Sequence, residues 1–190
     1  MKMLGRSFAL LMAAALLVPA LNAQGATKPA AAPKAADSPS KVLLDNWNEV
    51  GRKLTAMAED FPEDKYDFKP NPAQRSFAEQ LLHAAEGNYY FLNPAQGLKP
   101  PAGDPKRADF ATKAAVVAFV KKSFADGADL IKSRGDAGIN ALFVDPFANQ
   151  QTRFSDSAWG VIEHSGEHYG QLVVYYRVAG LVPPESRPKK

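Results

Sequence analysis

Two of the chain's three histidines, His164 and His168, lie four residues apart in a segment that favours a helix. Four residues is slightly more than one helical turn, so both imidazoles point from the same face of such a helix. A pair with this spacing can chelate one divalent metal ion. Gln171 and Tyr175 continue the same stripe, where they could hydrogen-bond a ligand or the imidazoles, or serve as ordinary residues at the edge of a core.

The third histidine, His83, lies far upstream in a second helix-like segment. If the two helices face each other, the chain has a three-histidine metal site with an open position. Neutral imidazoles suit zinc, nickel, cobalt, copper or iron, and ligand type alone does not choose among them; zinc and nickel are our leading candidates. Tyr90, a candidate ligand-binding residue, lies on the His83 side of this helix. Gly87 lies there too, and either leaves space beside a site or permits close helix packing.

Residues 164–168 also match H-x-x-E-H, the pattern of inverted zinc peptidases, in which the glutamate is the general base. That class needs a further acidic ligand well downstream, and only 22 residues follow His168, ending in prolines and lysines. The pattern therefore does not indicate a peptidase. Glu167 is retained as a candidate catalytic residue that could touch a metal-bound water, with an exposed ion pair as the plainer alternative.

Apolar residues at helical spacing predict four helices that would position these side chains, over residues 40–60, 76–92, 112–134 and about 155–180. Ser38 or Ser40 can cap the first helix. Ser76 is followed three residues later by Glu79, which predicts a capping box at the start of the second. The predicted core includes the apolar and aromatic residues Trp47, Phe77, Phe119, Phe124, Leu130, Trp159, Tyr169, Leu172 and Tyr176, with Tyr66 and Phe68 placed over the bundle.

The remaining segments favour an all-α fold. Gly135 is the predicted stop of the third helix, and Ser155 or Asp156 the predicted cap of the fourth. Residues 94–109 form a loop rich in Pro and Gly, and residues 139–144 a short apolar turn. No segment shows convincing strand alternation and no repeat is present. The sequence therefore predicts a four-helix bundle, with either a simple or a crossed topology.

A secretory signal peptide is predicted for residues 1–23. Lys2 and Arg6 precede an apolar run that is too short for a comfortable membrane span, and small residues follow near Ala23. Residues 24–40, rich in Ala, Pro and Lys, predict a flexible linker or simple disorder. The bundle is assigned to residues 41–184 and an unstructured tail to 185–190. We expect a periplasmic or secreted protein with no stable membrane anchor after cleavage.

Composition limits the functional classes. The chain has no cysteine, so an exported form contains no disulfide and its fold rests on the core, helped by any metal. The net charge is +3, from 23 basic and 20 acidic residues. Loss of Lys2 and Arg6 with the signal peptide would leave 21 basic residues against 20 acidic ones. A nearly neutral chain without a basic stripe does not indicate a nucleic-acid partner.

The chain resembles the DinB-like (DinB/YfiT) family of four-helix, metal-dependent proteins. The resemblance covers about residues 42–186 and is carried by residues 65–70, 75–85, 163–172 and 175–186. It implies that His83, His164 and His168 bind a metal. The family often has a histidine directly before its last ligand, where this chain has Glu167. Some members are thiol-dependent transferases or isomerases and most have no established reaction, so the resemblance implies the fold more strongly than an activity.

The sequence leads to three functional hypotheses. The first is a metal-dependent hydrolase or transferase that acts on an unidentified small molecule. The second is a non-catalytic metal- or ligand-binding module, and the third is an interaction domain that forms a homodimer through a helix face. Because the apolar stripes do not depend on the histidines, we expect His168→Ala to lose tight metal binding yet unfold, in chelator, within about 1 kcal/mol of the wild type.

Overall fold

The computed structural model describes residues 36–145 and 148–188. The predicted signal peptide and residues 24–35 of the predicted linker lie outside this range. The described chain contains four long helices, α1 (Pro39–Asp60), α2 (Phe77–Leu92), α3 (Lys113–Gly138) and α4 (Phe154–Val178). This four-helix bundle is the architecture that the apolar periodicity predicts. Within the described residues no helix combines the length and apolar character that a membrane span requires.

The order of the helices around the bundle is crossed. Both α1 and α2 pack against α3 and α4, whereas α1 and α2 are not a principal packing pair. α1 therefore lies diagonally opposite α2, and α3 diagonally opposite α4, so the connection within each of these two pairs crosses one end of the bundle, whereas α2 and α3 are neighbours. As a consequence α2 and α4, which carry the histidines, are neighbours.

The starts of the first two helices follow their local sequence. The Ser38 side chain accepts a hydrogen bond from the backbone N–H of Lys41. Ser76 and Glu79 form the predicted capping box, in which each side chain accepts from the other residue's backbone N–H. Such caps satisfy N–H groups that have no partner within the helix. The capping box fixes the start of α2 six residues before His83.

The ends of the other two helices differ from the prediction. At Gly135 the backbone leaves helical geometry, with φ 57° and ψ −171°, but one further turn continues to Gly138. The predicted caps of α4, Ser155 and Asp156, are wrong, because the helix starts at Phe154 and no side chain caps it. The backbone N–H groups of Phe154 and Ser155 instead donate to carbonyls of Ala141 and Ile139. The loop before α4 thus supplies the hydrogen-bond acceptors that a capping side chain would otherwise provide.

A short β-hairpin precedes α4, contrary to the expectation that the chain contains no strands. Strands β1 (Leu142–Asp145) and β2 (Gln150–Arg153) are antiparallel, with Leu142 opposite Arg153. The second strand reads Gln-Gln-Thr-Arg and both strands are largely exposed. Apolar and polar residues alternate along a strand when one face of the strand is buried. A hairpin with little buried surface therefore shows no such alternation.

The prediction of an unstructured tail is wrong for residues 185–188. A short 3₁₀ turn (Pro184–Ser186) follows α4. Glu185 accepts from Arg52 at 2.8 Å, and Arg187 donates to Asp60 at 2.7 Å. These bonds hold the tail against α1. They join residues more than a hundred positions apart, so no local pattern indicates them.

The core matches the predicted apolar stripes with one clear exception. Trp159 is 41 % exposed and lies on the outer face of α4, while its neighbours Ala158 and Val161 occupy the buried face. The assignment of Trp159 to the core is therefore wrong. Phe119, Leu130 and Tyr169 are partly buried, and the fully buried residues of the prediction are Trp47, Tyr66, Phe77, Leu172 and Tyr176.

Candidate metal centre

The packing of α2 against α4 brings together the chain's three histidines. One ring nitrogen from each of His83, His164 and His168 lies within 4.8 Å of the other two. The Nε2 atoms of His164 and His168 are 3.0 Å apart. A zinc ion with bonds of about 2.0–2.1 Å holds neighbouring nitrogens about 3.4 Å apart in a tetrahedral site. The three side chains therefore need only small adjustments to share one ion.

A carboxylate orients His83. Nδ1 of His83 lies 2.7 Å from Oδ1 of Asp104, and Arg75 donates to Oδ2 of the same carboxylate at 2.9 Å. The Tyr175 hydroxyl donates to the backbone carbonyl of Arg75 at 2.6 Å. A proton held on Nδ1 leaves the lone pair of His83 on Nε2, which is the usual arrangement of a metal-binding histidine and its carboxylate partner.

Two amide side chains meet at His168. Oε1 of Gln171 is 3.1 Å from Nδ1 of His168, and Nε2 of Gln80 lies 2.5 Å from the same atom. Gln80 also donates to Oε1 of Gln171. When Nδ1–H donates to Gln171, the lone pair of His168 is on Nε2 and faces His164. In this tautomer the amide nitrogen of Gln80, which can only donate, bonds to Oε1 of Gln171 and not to the imidazole. The two glutamines thereby fix the ring plane of His168.

The environment keeps two of the imidazoles neutral. Burial, with the neighbouring imidazoles as a smaller contribution, lowers the pKa of His164 to about 4. Burial is also the main cause that lowers the pKa of His168. Two neutral rings that face each other at 3.0 Å place their lone pairs in repulsion unless a proton or a cation lies between them. The donor set therefore fits a divalent cation, which requires neutral imidazole ligands.

The position of His164 depends on a glycine in the opposite helix. A Cβ atom at Gly87 would lie 2.7 Å from Cε1 of His164. Real Cβ contacts are not this short, so any other residue would displace the ring. Of the two explanations offered for Gly87, space beside the site is the one that the structure supports. Nδ1 of His164 is buried and has no hydrogen-bond partner.

A cavity of about 300 Å³ adjoins two of the three imidazoles. Its walls include His83, His164, Tyr90, Phe91 and Glu86. Burial and the negative charge of Asp104 raise the pKa of the Glu86 carboxyl to about 7. A concave space next to a cluster of metal-ligating side chains is typical of a small-molecule site.

The other candidate site residues occupy different surroundings. Glu167 is exposed and outside the three-histidine group, so its catalytic role stays a prediction. Tyr175 is buried and bonds the Arg75 backbone, whereas Gln171 contacts His168 directly. His168 itself is only 7 % exposed, whereas the small loss of stability predicted for His168→Ala requires a more exposed side chain.

Sequence reasoning missed three residues at this site: Gln80, Glu86 and Asp104. Gln80 and Glu86 lie three residues before and after His83, so a helical wheel would have placed both near the His83 face. Asp104 belongs to an irregular loop 21 residues downstream of His83. Loop residues show no periodicity, and no signal in the sequence could have indicated Asp104.

Comparisons with known proteins agree with the four-helix fold. A family model of the DinB superfamily matches residues 46–172. A DinB-like protein from Bacillus cereus has a similar structure, with a TM-score of 0.63 and 17 % sequence identity over 76 % of this chain and 95 % of that chain. YfiT from Bacillus subtilis, a four-helix bundle of unusual topology, has a TM-score of 0.61 and 15 % identity over 79 % and 94 %. No curated protein matches at a significant level.

Proposed function

The chain belongs to the DinB superfamily, and we propose that it binds one divalent metal ion through His83, His164 and His168 and acts as a hydrolase or transferase on a small molecule. The observation that carries the proposal is the convergence of three ring nitrogens within 4.8 Å of one another. Zinc and nickel are the leading candidates for the metal.

The surroundings of the cluster support an enzyme over a purely structural metal site. Among the described residues, no carboxylate joins the three imidazoles as a fourth close ligand. A cavity of about 300 Å³ reaches His83 and His164. Catalytic zinc sites have three protein ligands and an open position, whereas structural sites are closed by four. The structurally similar YfiT is described as a probable metal-dependent hydrolase, which is consistent with this proposal.

When bound, the metal would act as a Lewis acid or lower the pKa of a water molecule. The chain's own residues hold the ligands in place for that chemistry. Asp104 fixes His83, with Arg75 bonded to its second oxygen, and Gln171 fixes His168. Side chains with such partners do not reorganise when the metal binds, which favours tight and rapid binding.

Metal analysis tests the proposal directly. Protein purified from its native compartment without an affinity tag is expected to contain about one equivalent of a transition metal, or to take up one after dialysis against it. Elemental analysis by mass spectrometry gives the stoichiometry. Less than about a tenth of an equivalent under both conditions would refute the metal site and the metal-dependent activity with it.

Replacing Asp104 with asparagine is expected to weaken metal binding by about 10–100-fold, because His83 loses the charged acceptor that orients it. Competition with a chromogenic chelator measures the affinity. Asp67→Asn is a matched control, since Asp67 also accepts from an arginine, Arg107, but lies outside the cluster. Equal affinities of Asp104→Asn and wild type would show that the carboxylate does not support the metal ligand.

We also propose that the protein is exported, on the basis of the positive n-region and apolar run of residues 1–23. The mature chain is expected to begin between about residues 20 and 27. Intact-mass measurement of the periplasmic or secreted form gives the cleavage point. A mass equal to the whole precursor, recovered from the membrane fraction, would contradict both the cleavage and the expected compartment.

A further inference from the structure

The Glu86 carboxyl has no partner among the residues that the structure describes. Its side chain is 7 % exposed, and one of its oxygens is fully shielded from solvent without a hydrogen bond. No hydrogen bond or ion pair joins either oxygen to another described residue. A buried carboxyl without a partner destabilises a fold, so such groups occur mostly where a ligand or reaction needs them. Glu86 lines the cavity beside the three imidazoles but is not one of the converging groups.

Two aromatic rings form part of the same cavity wall. Tyr90 and Phe91 both line the cavity and form an edge-to-face pair, with ring centroids 5.8 Å apart and planes inclined by 74°. Aromatic rings attract cations, and an ionised carboxylate beside them adds a negative charge. Glu86 and these two rings therefore form a wall that combines a carboxyl group with aromatic rings.

No side chain of the cavity neutralises Glu86. Asp104 also lines the cavity, but it is bonded to His83 and Arg75. His164, the other imidazole in the wall, is neutral. The remaining lining residues that we have not named are glycines, and no described Lys or Arg contributes to the wall. A positive charge that pairs with the ionised Glu86 carboxylate is therefore supplied by the occupant.

We propose that this wall is a subsite for a small organic cation, a protonated or quaternary amine, which Glu86, Tyr90 and Phe91 bind together. A volume of about 300 Å³ suits a compact molecule, since it is at the lower end of the range for small-molecule sites. That such an amine is part of a substrate rests on the proposed function. The substrate would then carry its cationic group at Glu86 and its reacting group toward the imidazoles.

Choline and its neutral carbon analogue 3,3-dimethyl-1-butanol test the subsite, because they share one shape and differ in charge. Both are titrated calorimetrically into the full-length mature protein in chelator and after metal loading. We expect choline to bind the wild type at least about tenfold more tightly than the alcohol. Glu86→Gln should weaken choline binding by about tenfold and leave the alcohol within twofold.

Two further variants make the test specific. Glu163→Gln removes an exposed carboxyl next to His164 and should leave choline binding unchanged. Phe91→Leu removes one aromatic face and should weaken choline more than the alcohol. Circular dichroism shows whether each variant is folded. Equal binding of choline and the alcohol, or equal choline binding by wild type and Glu86→Gln, would overturn the proposal.

The two proposals fail separately. Choline binding in chelator without any metal uptake would refute the metal-dependent function and support the ammonium subsite. Stoichiometric metal uptake without charge-selective choline binding would support the metal site and refute the subsite.

Discussion

His168→Ala is expected to lower the affinity for zinc or nickel by more than about 100-fold, because losing a ligand costs more than losing a residue that hydrogen-bonds a ligand. His83→Ala should lower it to a similar extent. Competition with a chromogenic chelator measures both affinities. Glu163→Gln, with an exposed side chain next to His164, is the control and should bind metal like the wild type.

The His168→Ala and His83→Ala variants should differ in their free energy of unfolding once metal is removed. His168 is 7 % exposed and its Nδ1–H donates to Gln171, so its loss leaves a cavity and removes a partner from that amide. We expect His168→Ala to lower the free energy of unfolding in chelator by about 1–3 kcal/mol. This loss is larger than the limit of about 1 kcal/mol that was predicted from the sequence. His83 is more exposed, and Asp104 retains Arg75. His83→Ala should therefore stay within about 1 kcal/mol of the wild type.

Chemical denaturation with and without metal separates these contributions. Metal bound at 100 times its dissociation constant stabilises the wild type by about 2.7 kcal/mol, and this increment should be absent from both variants. An unfolded His168→Ala protein in chelator would show that His168 belongs to the support of the core. Variants that keep the full metal-dependent increment would contradict the assignment of these histidines as ligands.

Gly127→Ala is expected to destabilise the fold by about 3 kcal/mol or more, the upper part of the range for overpacked cores. Gly127 in α3 contacts the indole of Trp47 in α1, and an added Cβ would lie 2.7 Å from Cε2 and closer still to Cζ2. Trp47 is fully buried and donates from its indole N–H to the carbonyl of Phe124 at 2.8 Å. The ring cannot move away without losing this bond.

Gly160→Ala is the matched control for this prediction. Gly160 lies within α4, and an added Cβ would have no neighbour within 4 Å. The substitution should stabilise the protein by up to about 1 kcal/mol through helix propensity alone. Thermal and urea denaturation of both variants in chelator give the difference. Similar free energies of unfolding for the two would contradict the close packing of α1 on α3.

The sequence by itself determined the helices and the candidate metal ligands. Apolar spacing and caps such as Ser76 with Glu79 act within one or two turns, because helical hydrogen bonds join residues four positions apart. His164 and His168 share a face for the same local reason. His83 was a candidate as the chain's remaining histidine on a predicted helix, and the resemblance to a known family implied that it binds the metal, although no local rule connects it to the pair.

Only the tertiary structure decided what surrounds those ligands. The crossed order of helices places α2 beside α4, and an irregular loop brings Asp104 to His83. The lack of a described hydrogen-bond partner for Glu86 and the outward position of Trp159 likewise depend on which helix faces are covered. These features arise from packing between segments far apart in the chain. Sequence periodicity records that a helix has an apolar face, but it contains no information about which partner covers that face.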